Sequence, residues 1–362
     1  MINNLEKFHR YIDNKKLKKI FLITGKNSFL KSGAKKIINS IKNKKIKYFY
    51  KKENFPEYKE LKKISIEIKN FNPDIILAIG GGAVMDYGKI ASVVDEIKKI
   101  KKIITKNNVP KFKSYPLVAI PTTSGSGAEV TPNAVMYIDK TKYTVDKKIV
   151  KPNKFFLLPK LTFSASKSIK ASSGFDAVAQ SIESLLSIKS TSQSVKFAKK
   201  SLEYSLKSFT DFVNRPSNFN AEKMMLAAHM SGKAIAISKT TAPHAISYPF
   251  TAHFGIPHGH AVSLTLDKLL LFNYKNAQYA KTKFDLIDRY KIIFKFTNTK
   301  NINDLFFFIQ KLKKLVNLND NFKSLGININ KEKIKILSGV NEQRLANNPV
   351  QLNVNEIISI IS

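Results

Sequence analysis

Asp74-Ile75-Ile76-Leu77-Ala78-Ile79-Gly80-Gly81-Gly82-Ala83-Val84-Met85-Asp86-Tyr87-Gly88-Lys89 decides the fold. Ile75 to Ile79 holds no polar residue, so it reads as a strand buried on both faces. Three glycines then let the backbone turn with no Cβ in the way, and a helix opens at Ala83. The first N–H groups of a helix have no partner within it, so strand, glycine turn and helix form a cradle for an anion such as pyrophosphate. The spacing is neither G-x-G-x-x-G nor a Walker loop, and taken alone it also suits a tight turn that binds nothing.

The same texture extends outward. Lys18 to Thr24 reads as a buried strand ending at Gly25, Ser32 to Ile41 as a helix and Ile46 to Tyr50 as a second strand. Glu60 to Asn70 has a helical period, Asp74 to Ile79 is the third strand and Tyr115 to Pro121 the fourth. Strand–helix alternation predicts a parallel, doubly wound sheet over residues 1–160. From about residue 161 to 362, periods near 3.6 dominate, as in Ser194 to Phe212, Ala221 to Ile237 and Ala261 to Leu271. The expectation is an α/β domain, then an all-α domain, with a cleft between them.

Composition narrows the class. The chain has 362 residues, 43% of them hydrophobic, enough for two packed domains. Cysteine is absent, which removes disulfides and thiolate chemistry and leaves any metal to O and N ligands. Met1 to Lys7 enters a polar helix pattern with no apolar leader, and no apolar run reaches the roughly 18 residues of a membrane span. A soluble cytoplasmic protein is expected. The formal charge of +36 is carried almost wholly by Lys spread along the chain; Arg occurs only at Arg10, Arg215, Arg289 and Arg344. Bidentate phosphate or base contact favours Arg, so neither nucleic acid nor membrane is the expected partner. A positive field that draws in a small anionic substrate fits better.

A second loop, Pro121-Thr122-Thr123-Ser124-Gly125-Ser126-Gly127-Ala128-Glu129-Val130-Thr131, follows the fourth strand and is dense in hydroxyl donors. Further on, Asp176 and Gln180 stand at i and i+4 in GFDAVAQSIES, on one face of a predicted helix. His244 and His258 stand fourteen apart in PHAISYPFTAHFGIPHGHAV. With these four motifs in this order, the chain resembles the iron-containing (group III) alcohol dehydrogenases, of the dehydroquinate-synthase-like fold, over nearly its whole length.

The resemblance implies an N-terminal NAD(P)-binding domain, a C-terminal helical domain and a divalent metal, Fe(II) or else Zn(II). Gly81, Gly82, Ala83 and Asp86 fall on the family's GGGS-x-x-D-x-x-K cofactor motif, with Ala83 in place of Ser. Thr122, Thr123, Ser126 and Val130 fall on its second cofactor loop. Asp176, Gln180, His244 and His258 fall on its four metal ligands, with Gln180 where the family has His. An amide oxygen is a neutral, harder donor than imidazole. Tyr248 stands where many members carry a proton-relaying His, so Tyr248 and His258 are the expected catalytic residues, with His253 and His260 nearby. Gly25-Lys26 replaces the Asp that many NAD-dependent members use for the adenosine ribose. Loss of that carboxylate beside a Lys predicts that NADPH is accepted as well as NADH. The family also implies a homodimer or larger assembly.

Gly232 to Pro249 and Asn341 to Pro349 resemble one branch, the phosphonoacetaldehyde reductases (hydroxyethylphosphonate dehydrogenases). That implies reduction of phosphonoacetaldehyde to 2-hydroxyethylphosphonate. A phosphonate needs cations and N–H or O–H donors, and Lys239, Thr240 and Arg344 are the candidates, with Lys233 and Ser173 behind them. A simple alcohol, a diol or another anionic aldehyde is the alternative substrate.

Overall fold

The computed structural model describes residues 5–362, so the Met1–Asn4 part of the polar N-terminal pattern lies outside the described residues. The chain forms two compact units, one ending at Ala165 and one beginning at Ser166.

Among its described residues the first unit has seven strands: β1 (Lys19–Gly25), β2 (Lys45–Lys51), β3 (Ile75–Gly80), β4 (Leu117–Pro121), β5 (Asn133–Ile138), β6 (Thr141–Asp146) and β7 (Lys154–Phe155). Five of them make a sheet in the order β2-β1-β3-β4-β7, every neighbouring pair parallel. Residues along each central strand alternate between two cores. Phe21, Ile23, Ile76, Ala78, Leu117 and Ala119 pack on one face. Ile20, Leu22, Ile75, Leu77, Val118 and Ile120 pack on the other. Burial on both faces is why these strands read as unbroken apolar runs.

The strand order reverses between β1 and β3, and open α/β sheets bind ligands beyond the carboxyl ends of strands at such a reversal. The register brings those ends level: Thr24 pairs with Ile79, and Ile79 with Ile120. Gly25, Gly81 and Thr122 therefore leave the sheet along one edge.

Two local features differ from expectation. The helix expected over Ser32 to Ile41 is shorter, Ala34–Asn39, because Gly33 takes φ +89° and the helix starts only after it; a further short helix, Lys26–Lys31, precedes it. The antiparallel hairpin β5–β6 was not anticipated. Its turn residues, Asp139 and Lys140, both have positive φ, a conformation normally flagged by Asn-Gly or Asp-Gly.

The second unit is helical, with no strand among its described residues. Its central element is the helix Lys167–Leu186, buried nearly all round from Lys170 onward. The helices Asn218–Ser238, Ala242–Phe254 and His258–Lys275 surround the site residues. Pro243 starts the helix Ala242–Phe254, and Gly255, at φ +68°, ends it.

Helix His258–Lys275 meets Lys167–Leu186 at Gly259. A Cβ there would lie 1.9 Å from the Ser172 carbonyl oxygen and 2.8 Å from Asp176 Cβ. Only a residue without a side chain permits this crossing. Gly259→Ala must push the two helices apart, at a cost of about 2–3 kcal/mol. Urea unfolding of wild type and variant checks this, and an unchanged midpoint would contradict the close-contact argument.

Candidate metal centre and cofactor loops

Asp176 sits mid-helix in Lys167–Leu186, His244 in the first turn of Ala242–Phe254, and His258 at the start of His258–Lys275. Their ligand-capable atoms all lie within 4.8 Å of one another. The His244 and His258 rings meet edge to face at 5.2 Å. His244 Nε2 lies 3.1 Å from Asp176 Oδ1, and its Nδ1 is bonded to Glu183 Oε2.

Glu183 went unnoticed in the sequence, yet it organises the group. It is 1% exposed. Its Oε1 accepts from the Thr241 N–H and the Thr241 hydroxyl, both at 3.0 Å, and from the His244 N–H at 3.3 Å. These are the unpaired donors of a helix N-terminus, where a carboxylate is electrostatically favoured. A carboxylate behind a histidine fixes the ring's orientation and raises its basicity toward a metal. The legible signal was spacing: Asp176, Gln180 and Glu183 stand at i, i+4 and i+7, on one face of a helix with no other charge beyond Lys170.

Burial alone would lower the His244 pKa, but Glu183 and Asp176 more than offset it and raise it to about 9. A pocket that holds an imidazolium between two carboxylates attracts cations. A divalent ion there would displace that proton, since metal ligands bind deprotonated.

Gln180, 2% exposed, sends its amide oxygen toward helix Asn218–Ser238, where the Ser231 hydroxyl meets it at 2.9 Å. Tyr248 is 7% exposed, with its ring 5.9 Å from that of His258. Burial raises the Tyr248 pKa, and a hydrogen bond from the Arg344 guanidinium counters the rise. Sequence reasoning thus named Tyr248 and Arg344 separately, and the structure brings them together next to the histidines. Arg344 follows Asn341, whose N–H donates to the Ala245 carbonyl of the histidine-bearing helix at 3.2 Å. His260 is otherwise engaged, its Nε2 lying 2.6 Å from the Asn319 carbonyl oxygen.

Lys239 is half-buried at φ 62°, ψ 176°, a region that non-glycine residues rarely occupy. Its neighbours hold it there. The Asn347 side-chain amide donates to the Ser238 and Thr240 carbonyls, both at 2.9 Å, and the Ser187 hydroxyl donates to Ser238 at 2.6 Å. Thr240 is buried between this clamp and Thr241. Asn347 lies in the Asn341–Pro349 stretch, so the two stretches singled out in the sequence meet through it.

In the first unit, Gly81 caps the helix Gly82–Ala91, and the second loop faces it. A Cβ on Gly81 would lie 3.4 Å from the Thr123 side chain, and one on Gly82 would lie 3.4 Å from Ser126 Oγ. Thr122 N–H donates to the Gly80 carbonyl at 2.9 Å. Thr122 and Val130 are buried, whereas Ala83 and Asp86 are half-buried. Lys89, fully buried, ties the two loops by donating to Thr131 Oγ1 at 2.8 Å and to the Asn133 carbonyl at 2.7 Å. Burial lowers its pKa to about 8, against the pull of Asp86, Glu129 and Asp146. Burial likewise raises Asp86 to about 6, opposed by Lys89. Gly25 ends β1 half-buried, and Lys26 is exposed in the turn of helix after it.

Known proteins resemble this chain in sequence and in fold. Residues 2–163 match the iron-containing alcohol dehydrogenase model, and residues 170–362 match the C-terminal model of the Fe-containing alcohol dehydrogenase family. Phosphonoacetaldehyde reductase of Streptomyces viridochromogenes is 33% identical over 221 residues, 58% of this chain and 55% of that protein. The aldehyde-alcohol dehydrogenase of Clostridium acetobutylicum is 28% identical over 344 residues, 86% of this chain and 40% of that protein. The match thus spans about half or less of these relatives' lengths. The structure of sulfoacetaldehyde reductase from Bifidobacterium kashiwanohense in complex with NAD+ superposes with a TM-score of 0.86 at 25% identity, covering 100% of this chain and 94% of the other. The chain belongs to the iron-containing alcohol dehydrogenase family.

Proposed function

We propose that this protein is a metal-dependent NAD(P)H oxidoreductase that reduces phosphonoacetaldehyde to 2-hydroxyethylphosphonate. The observation that carries the reading is Arg344 on Tyr248, beside His258 and the Asp176–His244 pair. The other arginines are spent elsewhere: Arg10 and Arg215 pair with Glu6 and Asp211, and Arg289 lies over Phe284. The similarity to a phosphonoacetaldehyde reductase and a sulfoacetaldehyde reductase supports the same substrate class, a short aldehyde with an anionic head.

The donor set fits the metal. One carboxylate and two imidazoles, backed by Glu183 and without thiolate, suit Fe(II) or Zn(II). When bound, the ion supplies Lewis acidity toward a carbonyl and the reduced nicotinamide supplies a hydride, so the aldehyde carbon is reduced and the cofactor oxidised. Asp176, His244 and His258 hold the ion, with Glu183 fixing the His244 ring. Tyr248 donates the proton that completes the alcohol, and the guanidinium on its oxygen stabilises the phenolate left behind. Arg344, Lys239 and Thr240 bind the phosphonate. Gly81, Gly82, Ala83, Asp86, Thr122, Thr123, Ser126 and Val130 shape the cofactor site, with Gly25 and Lys26 at the adenosine end. In this reading residues 1–160 serve the cofactor and residues 161–362 the metal and substrate.

Steady-state kinetics with phosphonoacetaldehyde and butanal test the substrate. Arg344→Gln is expected to raise KM for the phosphonate aldehyde at least tenfold, the worth of a charge-assisted hydrogen bond of about 1.5–3 kcal/mol. KM for butanal should move less than about threefold; equal changes for both would defeat the phosphonate assignment.

Lys239→Gly separates strain from function. Relief of the unusual backbone should raise stability by about 1 kcal/mol net of glycine's own entropy loss. It should also weaken phosphonoacetaldehyde binding. A more stable variant with unaltered KM would leave Lys239 no role in the substrate site.

At the cofactor end, Lys26→Glu should lower kcat/KM for NADPH about fivefold or more, as expected for an exposed charge contact near 1 kcal/mol, and leave NADH within about twofold. Parallel losses with both cofactors would argue against a 2′-phosphate contact.

A further inference from the structure

We infer that the metal is held by three protein side chains, Asp176, His244 and His258, and that Gln180 is not a fourth ligand but an outer group locked to Ser231. The inference rests on the metal-dependent reading above and sharpens it. Position 180 is one helical turn beyond Asp176, where an inward side chain could reach the same ion. The Gln180 amide oxygen instead accepts a hydrogen bond from the Ser231 hydroxyl at 2.9 Å.

Ser231 is itself fully buried, and its hydroxyl also lies 2.9 Å from the Ala228 carbonyl of its own helix. The serine is thus fixed in place, and its contact fixes the amide. Ser184 and Ser238 make a second hydroxyl contact between the same two helices, at 2.8 Å. Gln180 belongs to that row of polar contacts along the helix pair.

Three considerations favour the outer role. A neutral amide oxygen is a weaker donor to Fe(II) or Zn(II) than the imidazole the family carries. A hydroxyl hydrogen-bonded to that oxygen weakens it further. Catalytic sites with three protein ligands keep positions open for substrate and water, and the site would then have this form.

Cobalt(II) titration followed by visible absorption tests the assignment without any turnover. Gln180→Leu keeps the side-chain volume and removes the amide. Its Co(II) dissociation constant should stay within about threefold of wild type, with the ligand-field bands unmoved. Binding at least tenfold weaker, with shifted bands, would make Gln180 a ligand and overturn the inference. Should Gln180→Leu fail to fold, the wild-type protein loaded with Mn(II) serves instead. Water-proton relaxivity should then report about three exchangeable waters, from six coordination positions less three protein donors. Two waters would overturn the inference. His244→Ala is the control: if Co(II) binds it as tightly as wild type, the metal reading itself fails, whatever Gln180 does.

Discussion

A carboxylate buried to 1% exposure must be compensated, and most of the second unit's site follows from how Glu183 meets that demand. Its charge is met by the opening turn of helix Ala242–Phe254 through Thr241 and His244, and by the His244 ring. This fixes the helix start, so the chain must turn just before it, where Lys239 takes its unusual backbone angles and Asn347 clamps both sides. The His244 ring, held at Nδ1, can only offer Nε2 to Asp176. Gly259 completes the group by letting the helix that starts at His258 touch the backbone at Ser172. The geometry of the triad is set by partners that are not themselves ligands.

The first unit solves a comparable problem with the opposite charge. Lys89 is a buried cation whose donors reach Thr131, at the end of the second loop, and Asn133 just beyond it. A lysine whose pKa is lowered to about 8 is held by burial at an energetic cost, and what it secures is the facing of Gly81 on Thr123 and of Gly82 on Ser126. Both loops begin at the carboxyl ends of neighbouring strands. One buried cross-link is therefore enough to register them.

What could be read from the residues, and what could not, divides along the range of the interactions. Buried parallel strands show as unbroken apolar runs, and the glycine turn after β3 and the histidine spacing are local patterns. The hairpin β5–β6 was missed because Asp139 and Lys140 occupy a turn that residue preferences assign to glycine. The late start of the helix at Ala34 was missed because one glycine inside an apolar period is often tolerated. Glu183, Ser231 and Asn347 were missed for another reason. Their partners lie 51 to 109 positions away, so local spacing does not show what they bond to. Glu183 alone left a trace, as the third polar residue on the Asp176 face.

Charge balance separates the proposed substrate from a plain alcohol. Asp176 and Glu183 together bring two negative charges, and a divalent ion between Asp176, His244 and His258 cancels them. The Arg344 guanidinium, half-buried on the Tyr248 phenol, then remains as excess positive charge. A neutral aldehyde leaves that excess uncompensated, in surroundings where water screens it poorly. A phosphonate brings negative charge that offsets it. The chain's +36 cannot make this distinction, since it acts on every anion that approaches. In the proposed reading, selection between anions and neutral aldehydes comes from Arg344 and Lys239. Lys239 is held at rare backbone angles by Asn347, six residues after Asn341, whose own N–H is bonded to Ala245 of the histidine-bearing helix.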